Sequence, residues 1–325
     1  SWRFVEQPFR DRRRLSRRRI FGFAGATAAL LVFAGLFGTL GNGLPQRYGE
    51  PEQSFFRSLH ELSDYRFACR LQMLRSLDFD QPCLIGDATK GPSLAVWGDS
   101  HAEALASGLG DALAAGGLSA LVFDKGGCLP LAGAMQTGNR QRDRDCFSEN
   151  GHDLEQIRQS GIKHVVLAGR WGDPATAVPF RPANGLGDES ARCPQVGDAV
   201  VFRAGIELTL CVLKQAGIEV TVLRQVPPLS ADPILAMYNR LTVDTGTVTF
   251  PFAHAQYLAM PGNAILDGLD AARLLDPYPA LCDAASGLCR SAEGGVPLYR
   301  DFDHVSARGA KLIAPLVVGR LARAN

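Results

Sequence analysis

Two short stretches carry residues whose types and spacing allow nucleophilic chemistry. One is Gly98-Asp99-Ser100-His101; the other, near the C-terminus, is Asp301-Phe302-Asp303-His304. A serine hydroxyl is a poor nucleophile until a base removes its proton, and that base must be held in the right tautomer. His304 is the base the second stretch offers. Asp301, three residues earlier, lets one turn deliver both the base and its orienter. Asp303, directly before the histidine, is the rival orienter. Each stretch alone has a plain explanation: Asp-Ser-His occurs by chance, and an aspartate before a helix is commonly an N-cap. Their joint meaning depends on where the fold puts them.

The elements that must position them come from the hydrophobic pattern. Leu94-Ala95-Val96-Trp97 predicts a strand ending at Gly98, and Ala102 to Ala115 predicts a helix. Leu118 to Phe123 predicts a second strand, Asp153 to Ser160 a helix, and His164 to Ala168 a third strand. The β-branched density of that third run suits a buried parallel sheet. Ala199 to Ala216 predicts a helix, Val220 to Leu223 a fourth strand, and Ala307 to Arg323 a final helix. Val226-Pro227-Pro228 ends the fourth strand. Strands alternating with helices predict a parallel sheet covered on both faces, a three-layer α/β/α sandwich. Sites in such folds form at the carboxyl ends of the strands. Ser100 falls at one, on a strand-to-helix turn. Its amide there lies at a helix N-terminus, where it can meet a developing oxyanion. His304 and Asp301 fall in the last loop before the last helix.

The chain has 325 residues and a net charge of only +1, but the charge is unevenly spread. The first nineteen residues hold eight arginines against Glu6 and Asp11, leaving −5 for the rest. A basic tip on a mildly acidic body argues against a nucleic-acid-binding domain. From Ile20 to Gln46 no residue is charged. A helix of about 20 apolar residues spans a bilayer core, and the arginines before it set the cytoplasmic end. We therefore expect an N-terminal transmembrane anchor over residues 20–42 that exports the C-terminal bulk. A cleaved signal peptide or a buried core helix would share the apolar run, but a signal peptide has a shorter one and a small-x-small cleavage site. From the opening on Ser1 rather than Met, we expect a piece of a longer protein. Residues 43–92 are expected to be a linker and extension, helical around Ser58 to Leu77.

Eight cysteines in an exported domain predict disulfides. Spacing favours Cys282 with Cys289, then Cys128 with Cys146 and Cys69 with Cys83. Cys211 lies in a helical apolar pattern and reads as core. No spacing is Cys-x-x-Cys, which argues against a zinc site, and no metal site is expected.

With those residues in view, the Gly98-Asp99-Ser100 block and the Asp301-x-x-His304 block resemble the SGNH (GDSL-like) hydrolases. More closely, the chain resembles the SGNH domain fused to the C-terminus of acyltransferase-3 membrane proteins. Trp97-Gly98-Asp99-Ser100-His101, Val165 to Trp171 and Asp303-His304-Val305-Ser306 carry this likeness, as does the opening Trp2 to Arg10. The resemblance implies an SGNH-hydrolase-like sandwich over residues 93–325. It also implies that residues 1–19 are the cytoplasmic end of an acyltransferase-3-like membrane domain. It assigns Ser100, His304 and Asp301 as the catalytic triad. The Ser100 amide and a glycine of Gly126-Gly127, with Gly127 preferred, would bind the oxyanion; a plain turn is the alternative. The family's third block has an asparagine where this chain has Trp171, so Arg170 or another group would have to compensate, unless Arg170 and Trp171 are a structural pair. Trp171 could also stack on a sugar. His101 either lines the substrate pocket or packs the helix N-terminus.

The function this implies is O-acyl transfer, with acetyl as the leading acyl group, onto an envelope polysaccharide such as O-antigen or exopolysaccharide. The acyl donor would ultimately be acetyl-CoA or another acyl-CoA, used through the membrane domain, with no cofactor bound by this domain. The implied location is the inner membrane with the catalytic domain in the periplasm. A periplasmic carbohydrate esterase uses the same triad. A non-catalytic glycan-binding domain is the reading from another class.

Overall fold

The computed structural model describes residue 2 and residues 16–41, 43–78, 80–132, 134–136, 140–171, 180–182, 193, 201–229, 247–270 and 273–322. Most of the basic opening, residues 1 and 3–15, lies outside the described residues. The chain divides into two compact units, Ser1–Gln53 and Ser54–Asn325.

In the first unit, helix α1 runs over Arg17–Leu40. Its 24 residues are long and apolar enough to cross a bilayer, and none of them is buried. At 1.5 Å per residue such a helix rises about 36 Å, more than a bilayer core needs. Helix α2 covers Glu50–Ser76 and starts earlier than the expected stretch from Ser58.

The second unit is built on a six-stranded sheet. Its elements, in chain order, begin with β1 (Cys83–Gly86), β2 (Leu94–Gly98), α3 (Ser100–Ala115) and β3 (Ser119–Asp124). Next come β4 (Ala134–Gln136), α4 (Arg140–Gln159), β5 (His164–Ala168), β6 (Phe180–Pro182), α5 (Val201–Gln215) and β7 (Glu219–Leu223). The chain closes with β8 (Val248–Pro251), β9 (Leu274–Leu275), β10 (Cys282–Asp283), β11 (Leu288–Glu293), β12 (Val296–Pro297) and α6 (Ala307–Leu321). The strand order is β1-β3-β2-β5-β7-β9. The four strands expected from the sequence are its centre, and they pair in parallel. The expected parallel sheet carries an antiparallel strand at one edge. There β1, inside the expected extension, pairs antiparallel to β3 with Cys83 opposite Val122. The physical reason is its entry route: β1 follows directly on α2, to which the Cys69–Cys83 disulfide ties it, with no crossover helix of its own.

Successive residues of β2 point to opposite faces, so the sheet feeds two cores. Leu94 and Val96 join a cluster with Leu105, Leu109 and Leu113 of α3 and Ile313 and Val317 of α6. Ala95 and Trp97 join the other, with Leu154 and Ile157 of α4 and Ile206 and Leu213 of α5. This is the expected sandwich. α4 is longer than the expected helix at Asp153–Ser160, because its first half is polar and carries no apolar period. A small sheet of β8, β10, β11 and β12 leads into α6.

All eight cysteines are paired. Cys69–Cys83, Cys128–Cys146 and Cys282–Cys289 form as expected. Cys211 corrects the expectation of a plain core residue: it bonds Cys193 across 18 residues. A helical apolar pattern reports which face is buried, not which distant thiol meets it.

Candidate active site

The site is assembled at the carboxyl end of β2. A Cβ at Gly98 would lie 1.7 Å from the Ala168 carbonyl oxygen, so only glycine lets β2 end against β5 here. Asp99 then caps α3, accepting from the His101 amide at 2.8 Å. Its other oxygen accepts from the Arg170 amide at 2.9 Å, which ties the loop after β5 to the same helix start. Burial of Asp99 pushes its carboxyl up to about 6, against the pull of those two amides. Ser100 is the first residue of α3, so its amide has no partner within the helix.

From the far end of the chain, a tight turn brings the other two residues. Tyr299 and Val305 bridge its base, and the Arg300 amide donates to the His304 carbonyl at 3.0 Å. Within the turn, Asp301 Oδ1 accepts from the amides of Asp303 at 3.0 Å and His304 at 2.8 Å. The same carboxylate meets His304 Nδ1 at 2.9 and 3.0 Å. His304 Nε2 lies 2.7 Å from Ser100 Oγ. With the proton on Nδ1, Nε2 accepts from the serine hydroxyl. The three residues expected from the sequence are thus brought together in line, 204 positions of chain apart at the serine–histidine contact.

Asp303 is also at the ring. Its Oδ1 stands 3.0 Å from His304 Nδ1, and its side chain is buried. Its Oδ2 pairs with Arg170 Nε at 3.1 Å. Burial works against the His304 imidazolium, but the hydrogen bonds to Asp301 and Asp303 outweigh it and push the pKa up to about 9. Asp301 is buried in part, yet its bonds to His304 hold its carboxyl below the usual range.

The expected oxyanion glycine lies on the neighbouring strand's exit. β3 ends at Asp124 beside Gly98, and the Lys125 amide donates to the Gly98 carbonyl at 3.1 Å. Lys125 to Cys128 form a turn, with Gly127 at φ +72°, a conformation that favours glycine. The expected substrate-pocket role of Trp171 is corrected. It is 2 % exposed, and its indole donates to the Leu223 carbonyl at 2.7 Å. A ring packed in the second core can neither stack on a sugar nor donate to an oxyanion. His101 is also buried, with its ring 4.4 Å from that of His304. Burial, then the nearby His304, hold its pKa down to about 3. It therefore packs against His304 at the start of α3. Arg170 stays at the mouth, its guanidinium 5.8 Å from the ring centre of Phe302. Phe302, 48 % exposed, is a rim residue that sequence reasoning missed. Its place between Asp301 and Asp303 was the available signal.

Among the described residues, His101, Asp303 and His304 are the one group whose donor atoms lie close enough for a metal ion, within 4.8 Å of one another. Both ring nitrogens of His304 already face triad partners, so a metal there would displace the contacts just described.

Comparison with known proteins places this chain in a family. A search of curated proteins gave no match. Among solved structures, the periplasmic domain of a lipopolysaccharide acetyltransferase from Salmonella ser. Paratyphi A is similar, at 18 % identity and TM-score 0.50. The match covers 71 % of this chain and 84 % of that one. An acylhydrolase-designated protein from Bacteroides fragilis NCTC 9343 also aligns, at 12 % identity over 79 % of this chain and 97 % of its own. Its TM-score of 0.34 adds nothing to the argument. The first of these likenesses supports the fold. The family model described as "SGNH domain (fused to AT3 domains)" matches residues 68–319, which include both site-forming stretches. The match covers most of the chain, and this chain is therefore a member of the SGNH domain family fused to AT3 domains.

Proposed function

We propose that this domain is a serine-dependent O-acyltransferase acting on an envelope glycan. The observation that carries this reading is the Ser100–His304–Asp301 line, with contacts of 2.7 and 2.9 Å, at a strand's carboxyl end. Ser100 Oγ attacks the acyl carbonyl as His304 Nε2 takes its proton, and Asp301 holds the imidazolium that forms. The amides of Ser100 and Gly127 bind the oxyanion. The leaving group departs with the proton from His304, and an acyl-serine remains. A sugar hydroxyl then gives its proton to His304 and attacks that ester, which regenerates Ser100. Acetyl is the acyl group we favour. O-antigen or exopolysaccharide is the favoured acceptor.

Support for transfer over hydrolysis comes from the chain's setting. The family is one fused to AT3 domains, and a helix able to cross a bilayer precedes the domain. In our reading α1 anchors the domain in the inner membrane with its catalytic face in the periplasm. An AT3-type partner delivers the acyl group from acyl-CoA. The acetyltransferase domain named above acts on lipopolysaccharide, which agrees with a glycan acceptor.

The test uses the full chain in detergent with an activated acetyl ester and an oligosaccharide acceptor, read by mass spectrometry. Acetyl appearing on the sugar, and lost in Ser100→Ala by on the order of 10⁶ in rate, is the expected result. Ser100-dependent release to water alone would replace transfer with ester hydrolysis. No Ser100-dependent turnover would return the domain to a glycan-binding role.

A further inference from the structure

We propose that Glu103 and Arg300 are positioning residues that hold the histidine turn in register with Ser100 and tune the basicity of His304. This rests on the acyl-transfer reading above and adds to it two residues outside the triad.

Glu103 lies three residues after Ser100, on the next turn of α3, and is buried. A buried carboxylate needs partners. Arg66 of α2 supplies two: Nε meets Oε1, and Nη2 meets Oε2 at 2.8 Å. Such a fork fixes the carboxylate's plane as well as its charge. The second partner is Arg300, whose Nη1 is 3.6 Å from Glu103 Oε2. Arg300 immediately precedes Asp301, and its Nε is 3.8 Å from Asp301 Oδ2. The contacts therefore close a ring. They run from Ser100 to His304, to Asp301, to Arg300, to Glu103, and back along one turn of α3 to Ser100. The histidine turn is bonded to α3 at both ends of that ring, so it cannot slide along the helix without breaking an ion pair.

The ring is also electrostatic. Around His304 stand Asp301, Asp303 and Arg300 on its own turn, and His101 on α3. Arg170, after β5, reaches it through Asp303. Around Glu103 stand Arg66 and Tyr65 of α2, Arg300, and Asp124 at the end of β3. Arg300 competes with His304 for the charge of Asp301. Glu103 neutralises part of that competition.

The two partners should therefore move His304 in opposite directions. Glu103→Gln frees the Arg300 cation to pull on Asp301, which makes His304 a weaker base. Arg300→Met removes the cation and makes it a stronger one. The experiment measures the pH profile of kcat/KM for 4-nitrophenyl acetate, using the full chain in detergent. Ser100→Ala is the control: if it leaves turnover intact, the underlying reading fails and the ring is not at issue. Given Ser100-dependent turnover, the alkaline-rising limb should shift to lower pH in Glu103→Gln and to higher pH in Arg300→Met. Each shift should be on the order of half a unit, since the Arg300 contacts are long, at 3.6 and 3.8 Å. Arg300→Lys, which keeps the cation, should restore the wild-type limb. If Glu103→Gln does not fold, the Arg300→Met and Arg300→Lys pair decides the question alone. Rates that fall while the limb stays put would make the ring a purely structural brace and overturn the proposal. An unchanged rate and limb would overturn it as well.

Discussion

At the scale of single residues, the site poses a question of protonation. His304 is surrounded by acceptors, and its pKa is pushed up to about 9 although burial opposes this. A general base works only when neutral, so kcat/KM should rise with pH through a limb above the ordinary imidazole value of about 6.5. Asp301→Asn removes the charge and the acceptor that favour the imidazolium. Its limb should move acid, and the plateau should fall by about 10³–10⁴ because the tautomer is no longer held. Asp303→Asn should also move the limb acid, with a far smaller loss of plateau, since Asp301 still holds Nδ1. Equal losses for the two variants would show that the orienter's work is shared. Stability gives an independent check. A raised histidine pKa adds stability that is full below about 6.5 and is lost as pH climbs through about 9. The wild type should lose that increment in alkaline melts, and His304→Gln should not.

At the scale of elements, Asp99 is the joint between two of them. One carboxylate oxygen caps α3 and the other holds the loop after β5. Asp99→Ala deletes both acceptors, and a lost cap and a second buried bond cost about 2–3 kcal/mol together. Urea unfolding should report that loss with an unchanged slope. A loss below about 0.5 kcal/mol would mean that solvent replaces the carboxylate. This joint is only half legible in the sequence, since an aspartate before a helix is a common cap but nothing local marks a second bond to the loop after β5. The reason is general to the chain. β2, β3, β5 and β7 could be read because strands covered on both faces are short apolar runs. The Ser100–His304–Asp301 contacts could be anticipated because each half is a local pattern. β1, the polar half of α4 and the Cys193–Cys211 bond could not, since nothing local marks them. The same holds for Trp171, whose burial depends on a carbonyl of β7, and for Glu103 and Arg300, which meet across nearly 200 residues of chain.

At the scale of the whole molecule, four disulfides and a helix able to cross a bilayer point to the same environment. The bridges span 14, 18, 18 and 7 residues. Loop-closure entropy assigns each about 2–3 kcal/mol, or on the order of 10 kcal/mol for all four. Total stabilities of folded domains are about 5–15 kcal/mol. The bridges are therefore comparable to the whole margin of stability, which agrees with the oxidising periplasm we propose. Thermal unfolding should put this to the test. With dithiothreitol, the transition should fall by on the order of 20 °C or vanish, since each kcal/mol is worth about 2–4 °C in a domain of this size. The Cys69→Ser, Cys83→Ser double variant should lose about 3 kcal/mol, because that bridge ties α2 to the antiparallel edge of the sheet. If the fully reduced chain melted at the oxidised temperature, the bridges would be incidental to folding, and the case for an exported domain would rest on α1 alone.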